Sequence, residues 1–191
     1  EEITVVTGGD GHTSQGEFFE AINVACLETK HGQLPVLFLI EDNGYAISVP
    51  RFQQTAGGSI SQFLMGLQDA GLLEIHEIDG CDPIGSYETF RKIEHRLRKE
   101  RRPVLVHAHV IRPGSHSESD DEKLYKTEEM REAEARRDPV TNFPKYLVDH
   151  GIATEDELEA LRNEIDTEIN EAAEYALKAP RNTPESAKLY V

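Results

Sequence analysis

Continuous apolar runs alternate with amphipathic segments along the first part of the chain, and the runs are rich in β-branched or aliphatic residues. Such runs predict strands, here at 3–7, 36–40, 75–78 and 104–111. Between the strands, apolar residues recur at three- and four-residue spacing, which predicts helices, here at 18–29, 59–71 and 82–101. The alternation predicts an α/β fold, with a mainly parallel sheet between helices. The first two strands are expected to be buried.

The chain changes character after the last predicted strand. Residues 112–126 are rich in Ser, Asp, Glu and His and have almost nothing to bury, so we predict a long exposed loop. Three helices are predicted after it, at 128–137, at 142–150 and from 154 onward. In the last of these, Thr154 and Glu157 have the spacing of a capping box. We therefore expect an α/β domain at 1–126 and a C-terminal helical extension with a tail at 127–191.

The start of the chain predicts a missing segment. The sequence begins directly before the first predicted strand, and a domain rarely begins in its most buried strand. We therefore expect the domain at 1–126 to lack its N-terminal part, so that the chain is a fragment or one domain of a longer protein.

Composition narrows the classes of function. The formal net charge is -16, which disfavours a nucleic-acid or anionic-membrane surface, because phosphate groups are bound by clustered Lys and Arg. The acidic excess lies largely in 155–174, which we interpret as a solvated helix face. The chain has only two cysteines, Cys26 and Cys81, which favours a reducing compartment. It contains no apolar stretch of the roughly 18 residues that a membrane helix needs.

Glycine and polar residues follow directly after each of the first two predicted strands. Gly9, Asp10 and Gly11 follow the first strand, and Asn43 and Tyr45 follow the second. Neighbouring parallel strands deliver such ends to one crevice. Glycines let the backbone approach a ligand, and a helix N-terminus suits a phosphate, which Asp10 alone would repel. A magnesium ion between carboxylate and phosphate resolves this conflict, with the Asn43 side-chain oxygen and the Tyr45 backbone carbonyl as further ligands.

These motifs also resemble those of a known family. Gly9-Asp10-Gly11 with Asn43 resembles the thiamine-diphosphate-binding motif. Longer segments resemble the α subunit of the decarboxylating component of 2-oxo acid dehydrogenase complexes, of the branched-chain (2-oxoisovalerate) or pyruvate type. These segments are 13–23, 43–50, 112–121, Tyr125 and 138–139. The resemblance covers nearly the whole chain and implies a three-layer thiamine-diphosphate-binding fold.

Roles for individual residues follow from this resemblance. It implies that the cofactor is bound by Gly9, Asp10, Gly11, His12, Asn43, Tyr45 and His116. Within this set it implies a magnesium site made of Asp10, Asn43 and the carbonyl of Tyr45. It implies that His116 is catalytic and assists acyl transfer. It implies that a loop around the cofactor is ordered by Arg112, Ser117, Asp120 and Tyr125; Ser117 matches a serine that is phosphorylated in mitochondrial relatives.

Two residues depart from the family pattern, and two histidines nearby have another interpretation. Asp42 stands where the family usually has Asn, but this position is not the usual metal ligand. Lys126 stands where the family usually has Arg, and Lys cannot make the same forked contacts. His107 and His109 alternate along a predicted strand and so share a face. Without a full set of ligands beside them, we do not predict a zinc site there.

The implied activity is oxidative decarboxylation of a 2-oxo acid, with acyl transfer to a lipoyl group on an acyltransferase partner. The cofactors would be thiamine diphosphate and Mg²⁺, and the enzyme a heterotetramer in the bacterial cytoplasm or the mitochondrial matrix. The activating Glu of the family lies in a pyrimidine-binding β subunit or fused half, so this chain alone is expected to be inactive. The run 45–50 favours branched-chain 2-oxo acids over pyruvate.

Two other classes of function stay open. The first is a dinucleotide-binding oxidoreductase, because Gly9-x-Gly11 begins that fingerprint. Against it, Ser14 stands at the position of the third glycine, and no acidic residue closes a second strand about 20 residues further on. The second is a non-catalytic module that pairs with another protein through its helices.

Overall fold

The computed structural model describes residues 2–30 and 32–186. Its main feature is a four-stranded parallel sheet in the order β1-β2-β6-β5. These strands are β1 (Thr4–Gly9), β2 (Val36–Asp42), β5 (Glu74–Asp79) and β6 (Val104–His109). A short antiparallel hairpin follows β2 and consists of β3 (Tyr45–Ala46) and β4 (Val49–Pro50). The predicted mainly parallel sheet is confirmed.

Helices lie on both faces of this sheet. They are α1 (Gly16–Cys26), α2 (Ile60–Phe63), α3 (Met65–Asp69) and α4 (Pro83–Glu100). One core cluster joins α1 and α2 to the sheet and includes Ile22, Phe38 and Ile60. The other joins α4 to the opposite face and includes Ile93 and Val106. The predicted α/β arrangement of a sheet between helices is therefore confirmed.

The first strand is much more exposed than its sequence predicts. Val5 is 52% exposed and Val6 40% exposed, so the prediction that this strand is buried is wrong. In the part of the chain that the structure describes, β1 lies at the edge of the sheet and has one neighbour, β2. The central strands β2 and β6 carry the buried side chains, including Leu105 and Val106. An apolar run predicts a strand but does not report its place in the sheet.

The predicted helix at 59–71 is interrupted. Leu64 separates α2 from α3, with φ −93° and ψ 2°, and its side chain is buried in the core beside α1. Ile60 and Leu64, four residues apart, are buried in the same cluster, so the interruption does not change the face that periodicity predicts to be buried.

The carboxyl ends of the parallel strands meet along one edge of the sheet. Gly9 at the end of β1 pairs with Glu41 near the end of β2. Asp42 and Asp79 each pair with His109, the last residue of β6. The segments that follow β1, β2 and β6 therefore start next to one another, as the sequence predicts.

Contacts within the chain divide it into two compact units, Glu1–Asn142 and Phe143–Val191. The later helices are α5 (Glu128–Arg136), α6 (Pro139–Asp149) and α7 (Glu155–Lys178). The predicted capping box at the start of α7 is confirmed, since Thr154 and Glu157 exchange both hydrogen bonds. The domain boundary after residue 126 stays a prediction, and the end of the predicted tail, 187–191, lies outside the described residues.

Within the described ranges, no helix combines the length and apolar character that crossing a membrane requires.

Candidate functional site

Asp10 is the residue after β1 whose surroundings best suit a bound cation. It follows β1 in a short 3-10 helix (Asp10–Ser14) and is only 3% exposed. Neither carboxylate oxygen has a hydrogen-bond partner among the described residues. Burial raises the pKa of Asp10 above its usual value, and the neighbouring carboxylate of Asp42 raises it further. An unpaired buried carboxylate is costly, and a bound cation would remove that cost.

The glycines around Asp10 let other groups come close. A Cβ built on Gly11 would lie 2.8 Å from the Cβ of Ala46, in the hairpin that follows β2. A Cβ on Gly8 would lie 2.3 Å from the imidazole of His12, which folds back over this backbone. His12 itself is exposed, with Nδ1 3.2 Å from the carbonyl oxygen of Gly9. The backbone after β1 is therefore pressed against the backbone after β2.

The turn after β2 brings Asn43 to the Asp10 carboxylate. The backbone N–H of Asn43 lowers the pKa of Asp10, against the effect of burial, although it does not form a hydrogen bond with the carboxylate. The side-chain oxygen of Asn43 accepts from the backbone N–H of Tyr45, at 3.2 Å. Gly44 has a φ of +85°, a conformation that suits glycine. The structure thus places Asn43 next to Asp10, and the metal site itself stays a prediction.

Asp42 fixes this turn. One of its oxygens accepts from the backbone N–H of Gly44 at 2.8 Å, and the other accepts from Arg51 and from His107. Burial alone would raise the pKa of Asp42, but hydrogen bonds from His107 and Arg51, with the charge of Arg51, lower it to about 2. Two buried carboxylates at the ends of adjacent strands therefore have opposite electrostatic surroundings.

A polar cluster beneath the turn was not found from the sequence. Nε2 of His107 lies 2.6 Å from the Asp42 carboxylate, and Nδ1 lies 3.0 Å from the hydroxyl of Ser61. The rings of His107 and His109 are 4.3 Å apart, so the prediction that they share a face is confirmed. Nitrogen and oxygen atoms of Asp42, His107 and His109 lie within 4.8 Å of one another. The register between β2 and β6 brings Asp42 next to His107, 65 positions further along the chain, and so creates this cluster.

Three of the four residues predicted to order the loop do contact one another. Arg112 donates to the hydroxyl of Tyr125 at 2.6 Å, and that hydroxyl donates to Asp120. The hydrogen bond from Tyr125 makes the largest contribution to lowering the pKa of Asp120, and the hydrogen bond from the backbone N–H of His116 makes the second largest. Burial, with the Asp120 bond, raises the pKa of Tyr125 to about 12. Arg112 also lies 5.8 Å from the ring centre of Tyr45, which joins this cluster to the turn after β2.

His116 and Ser117 lie in the same loop but outside this cluster. The backbone N–H of His116 donates to Asp120 at 2.8 Å. Its side chain is exposed, and no hydrogen bond or ion pair among the described residues joins it to Asp10 or Asn43. The hydroxyl of Ser117 lies 3.2 Å from that of Ser119. The structure therefore places both residues near the ordered part of the loop without giving their side chains a site partner.

Lys126 contributes to the loop in a way that sequence reasoning missed. It is buried, and its Nζ lies 3.1 Å from the carbonyl oxygen of Arg112, 2.6 Å from a carboxylate oxygen of Glu134 and 3.2 Å from one of Glu122. The ammonium also lies 5.6 Å from the ring centre of Tyr45. A lysine cannot make forked contacts, but here it donates to two oxygens, of Arg112 and Glu134, and forms an ion pair with Glu122.

Comparisons with known proteins identify a matching family and similar chains. A family model described as "Dehydrogenase E1 component" matches residues 1–185. The chain is 34% identical, over 186 residues, to the 2-oxoisovalerate dehydrogenase subunit alpha of Bacillus subtilis, covering 97% of the chain and 54% of that protein. It is 30% identical to the pyruvate dehydrogenase E1 component subunit alpha of Porphyra purpurea, covering 99% of the chain and 52% of that protein.

A third relative is the mitochondrial pyruvate dehydrogenase E1 component subunit alpha of Dictyostelium discoideum. The identity is 33% over 183 residues, covering 95% of the chain and 45% of that protein. The chain spans about half the length of the curated relatives it matches.

Proposed function

This chain belongs to the dehydrogenase E1 component family, and on that premise we propose that it supplies the thiamine-diphosphate and magnesium site of a 2-oxo acid dehydrogenase. The observation that carries the proposal is the buried Asp10 carboxylate, whose two oxygens have no hydrogen-bond partner among the described residues. It faces a turn that offers neutral oxygens, and such a set suits magnesium.

The residues present fit the proposed ligands. Asp10, the Asn43 side-chain oxygen and the Tyr45 carbonyl would hold the metal, and Gly9, Gly11 and His12 would lie along the diphosphate. When bound, thiamine diphosphate supplies the electron sink for decarboxylation, while the protein positions it. The close approach of Gly11 to Ala46, where a Cβ on Gly11 would lie 2.8 Å from that of Ala46, supports this arrangement.

The loop after β6 would complete the site. We assign His116 a catalytic role in passing the acyl group to a lipoyl group on an acyltransferase partner. Arg112, Asp120 and Tyr125 would hold the loop in place through the hydrogen bonds described above. Ser117 would belong to the same loop, exposed to solvent.

Partners and substrate are part of the same proposal. The chain would work with a pyrimidine-binding β subunit, or with a fused half, in a heterotetramer of the bacterial cytoplasm or the mitochondrial matrix. The substrate would be a branched-chain 2-oxo acid rather than pyruvate. The sequence of 45–50 and the similarity to a 2-oxoisovalerate dehydrogenase subunit support this preference.

Calorimetric titration of the protein with thiamine diphosphate or NAD, each with and without Mg²⁺, tests the proposal. We expect binding of thiamine diphosphate that requires Mg²⁺ and is abolished by Asp10→Ala, but not by Asp69→Ala, which changes an exposed aspartate in α3. Binding of NAD instead would favour the dinucleotide enzyme. A folded protein that binds neither compound would favour the interaction module.

A further inference from the structure

His107 lies on β6 with none of its surface exposed, yet both nitrogens of its ring have polar partners. Nε2 lies 2.6 Å from a carboxylate oxygen of Asp42, and Nδ1 lies 3.0 Å from the hydroxyl oxygen of Ser61. Ser61 donates in turn to a carboxylate oxygen of Glu77. A chain of hydrogen bonds therefore crosses the sheet, from β2 through β6 and α2 to β5.

Counting protons along this chain assigns the charge of His107. An ionised carboxylate only accepts, so Nε2 must donate to Asp42. The single hydroxyl proton of Ser61 is directed at Glu77, so it is not available to Nδ1. Nδ1 must then donate to the Ser61 oxygen. A histidine that donates from both nitrogens is an imidazolium cation.

Charges on both sides make this cation tenable inside the protein. Asp42, which also pairs with Arg51, faces one edge of the ring, and Glu77 lies beyond Ser61 at the other edge. Nε2 of His109 lies 3.2 Å from the second oxygen of Glu77. Buried charges persist when they are paired and hydrogen-bonded, and here the paired groups come from three neighbouring strands.

We propose that His107 is a positioning residue of the metal–diphosphate site: as a buried imidazolium it holds Asp42, whose other oxygen fixes the turn after β2. That turn carries Asn43 and Tyr45, so the inference rests on the proposed function and deepens it. Partners one shell outside a metal ligand commonly change metal affinity about 10- to 100-fold when they are removed. His107 acts one contact further out, through Asp42 and the turn, so we expect an effect at the lower end of that range, about 10-fold.

The same cluster could be imagined as a transition-metal site, because Asp42, His107 and His109 lie within 4.8 Å of one another. Two observations favour the hydrogen-bonded pair. The carboxylate of Asp42 already binds the cationic side chain of Arg51, which would repel a metal ion beside it. Nε2 of His107 is also in direct hydrogen-bond contact with Asp42, and their separation of 2.6 Å leaves no room for an ion between these two atoms.

The first measurement needs no cofactor. Long-range ¹H–¹⁵N correlation spectra of the cofactor-free protein report which nitrogens of each histidine carry protons. We expect both nitrogens of His107 to be protonated at neutral pH, with the assignment made by loss of the signal in His107→Gln. A signal from a neutral His107 ring would overturn the proposal.

The second measurement is calorimetric titration of Mg²⁺ and thiamine diphosphate into the protein assembled with its pyrimidine-binding partner. We expect His107→Leu to weaken binding about 10-fold and His107→Gln, which keeps an N–H near Asp42, to weaken it less. His109→Gln is the matched control, from the same face of β6, and should bind as the wild type does. In the Asp42→Asn background, His107→Leu should weaken binding much less, because residue 42 then carries no charge for His107 to hold.

The outcomes separate the two claims. If the wild-type assembly does not bind thiamine diphosphate, the proposed function fails. If the wild-type assembly binds and His107→Leu binds equally well, only the positioning role fails. That role also fails if His107→Leu weakens binding as much in the Asp42→Asn background as in the wild type. Stoichiometric zinc in the purified protein, lost in both His107→Leu and His109→Gln, would also overturn the positioning role.

Discussion

Without cofactor, the Asp10→Asn variant should be more stable than the wild type. With cofactor bound, it should be less stable. Without cofactor, the buried carboxylate has no hydrogen-bond partner among the described residues, and burial raises its pKa. A buried unsatisfied group costs about 1–3 kcal/mol, and more when charged. Removing the charge should therefore stabilise the metal-free protein by at least about 1 kcal/mol, which for a chain of this size is about 2–4 °C in Tm.

With cofactor the order should change. Ligand at about 100 times its Kd stabilises the folded state by about 2.7 kcal/mol, and only the wild type should gain this. The assay is thermal unfolding of both proteins, with and without Mg²⁺ and thiamine diphosphate. The advantage of Asp10→Asn in the metal-free state should also shrink as the pH falls through the raised pKa of Asp10, because protonation removes the same charge. An Asp10→Asn protein that is less stable without cofactor, or that gains as much from it, would refute this reasoning.

Three further predictions concern Asp42, Gly11 and the activity of the isolated chain. Asp42→Asn should have the opposite sign and destabilise the protein by roughly 2 kcal/mol at neutral pH, because the pKa of Asp42 is lowered to about 2. That stability should be lost as the pH falls from about 4 through about 2; denaturant titrations at several pH values that show no such loss would contradict it. Gly11→Ala should destabilise the protein by about 1–3 kcal/mol, because its Cβ would meet Ala46 at 2.8 Å. Gly16→Ala, with open space around its Cβ, is the control, and equal effects of the two on unfolding would count against the close approach. Purified alone, this chain should not decarboxylate 2-oxo acids; robust CO₂ release without a pyrimidine-binding partner would disprove that dependence.

Local signals in the sequence were enough to predict the elements of the sheet but not their surroundings. The apolar runs at β1 and at β2 look alike, yet β1 lies at an edge of the described sheet with Val5 and Val6 exposed. Burial depends on neighbours far along the chain, which a local pattern does not contain.

The candidate site divides in the same way. Asp10 and Asn43 could be predicted to meet, because each directly follows a strand and parallel strands end at one edge. The contact of Asp42 with His107 could not, because it requires the register between β2 and β6. Lys126 was interpreted only as a weaker substitute for Arg, and its three oxygen partners depend on the path of the loop.

A crystal structure of the protein with Mg²⁺ and thiamine diphosphate tests the central claim most directly. We predict one cation with octahedral coordination, bound by a carboxylate oxygen of Asp10 and by the Asn43 side-chain oxygen at about 2.0–2.1 Å, and bridged to the diphosphate. A cation bound elsewhere, or a diphosphate that contacts neither residue, would contradict the account.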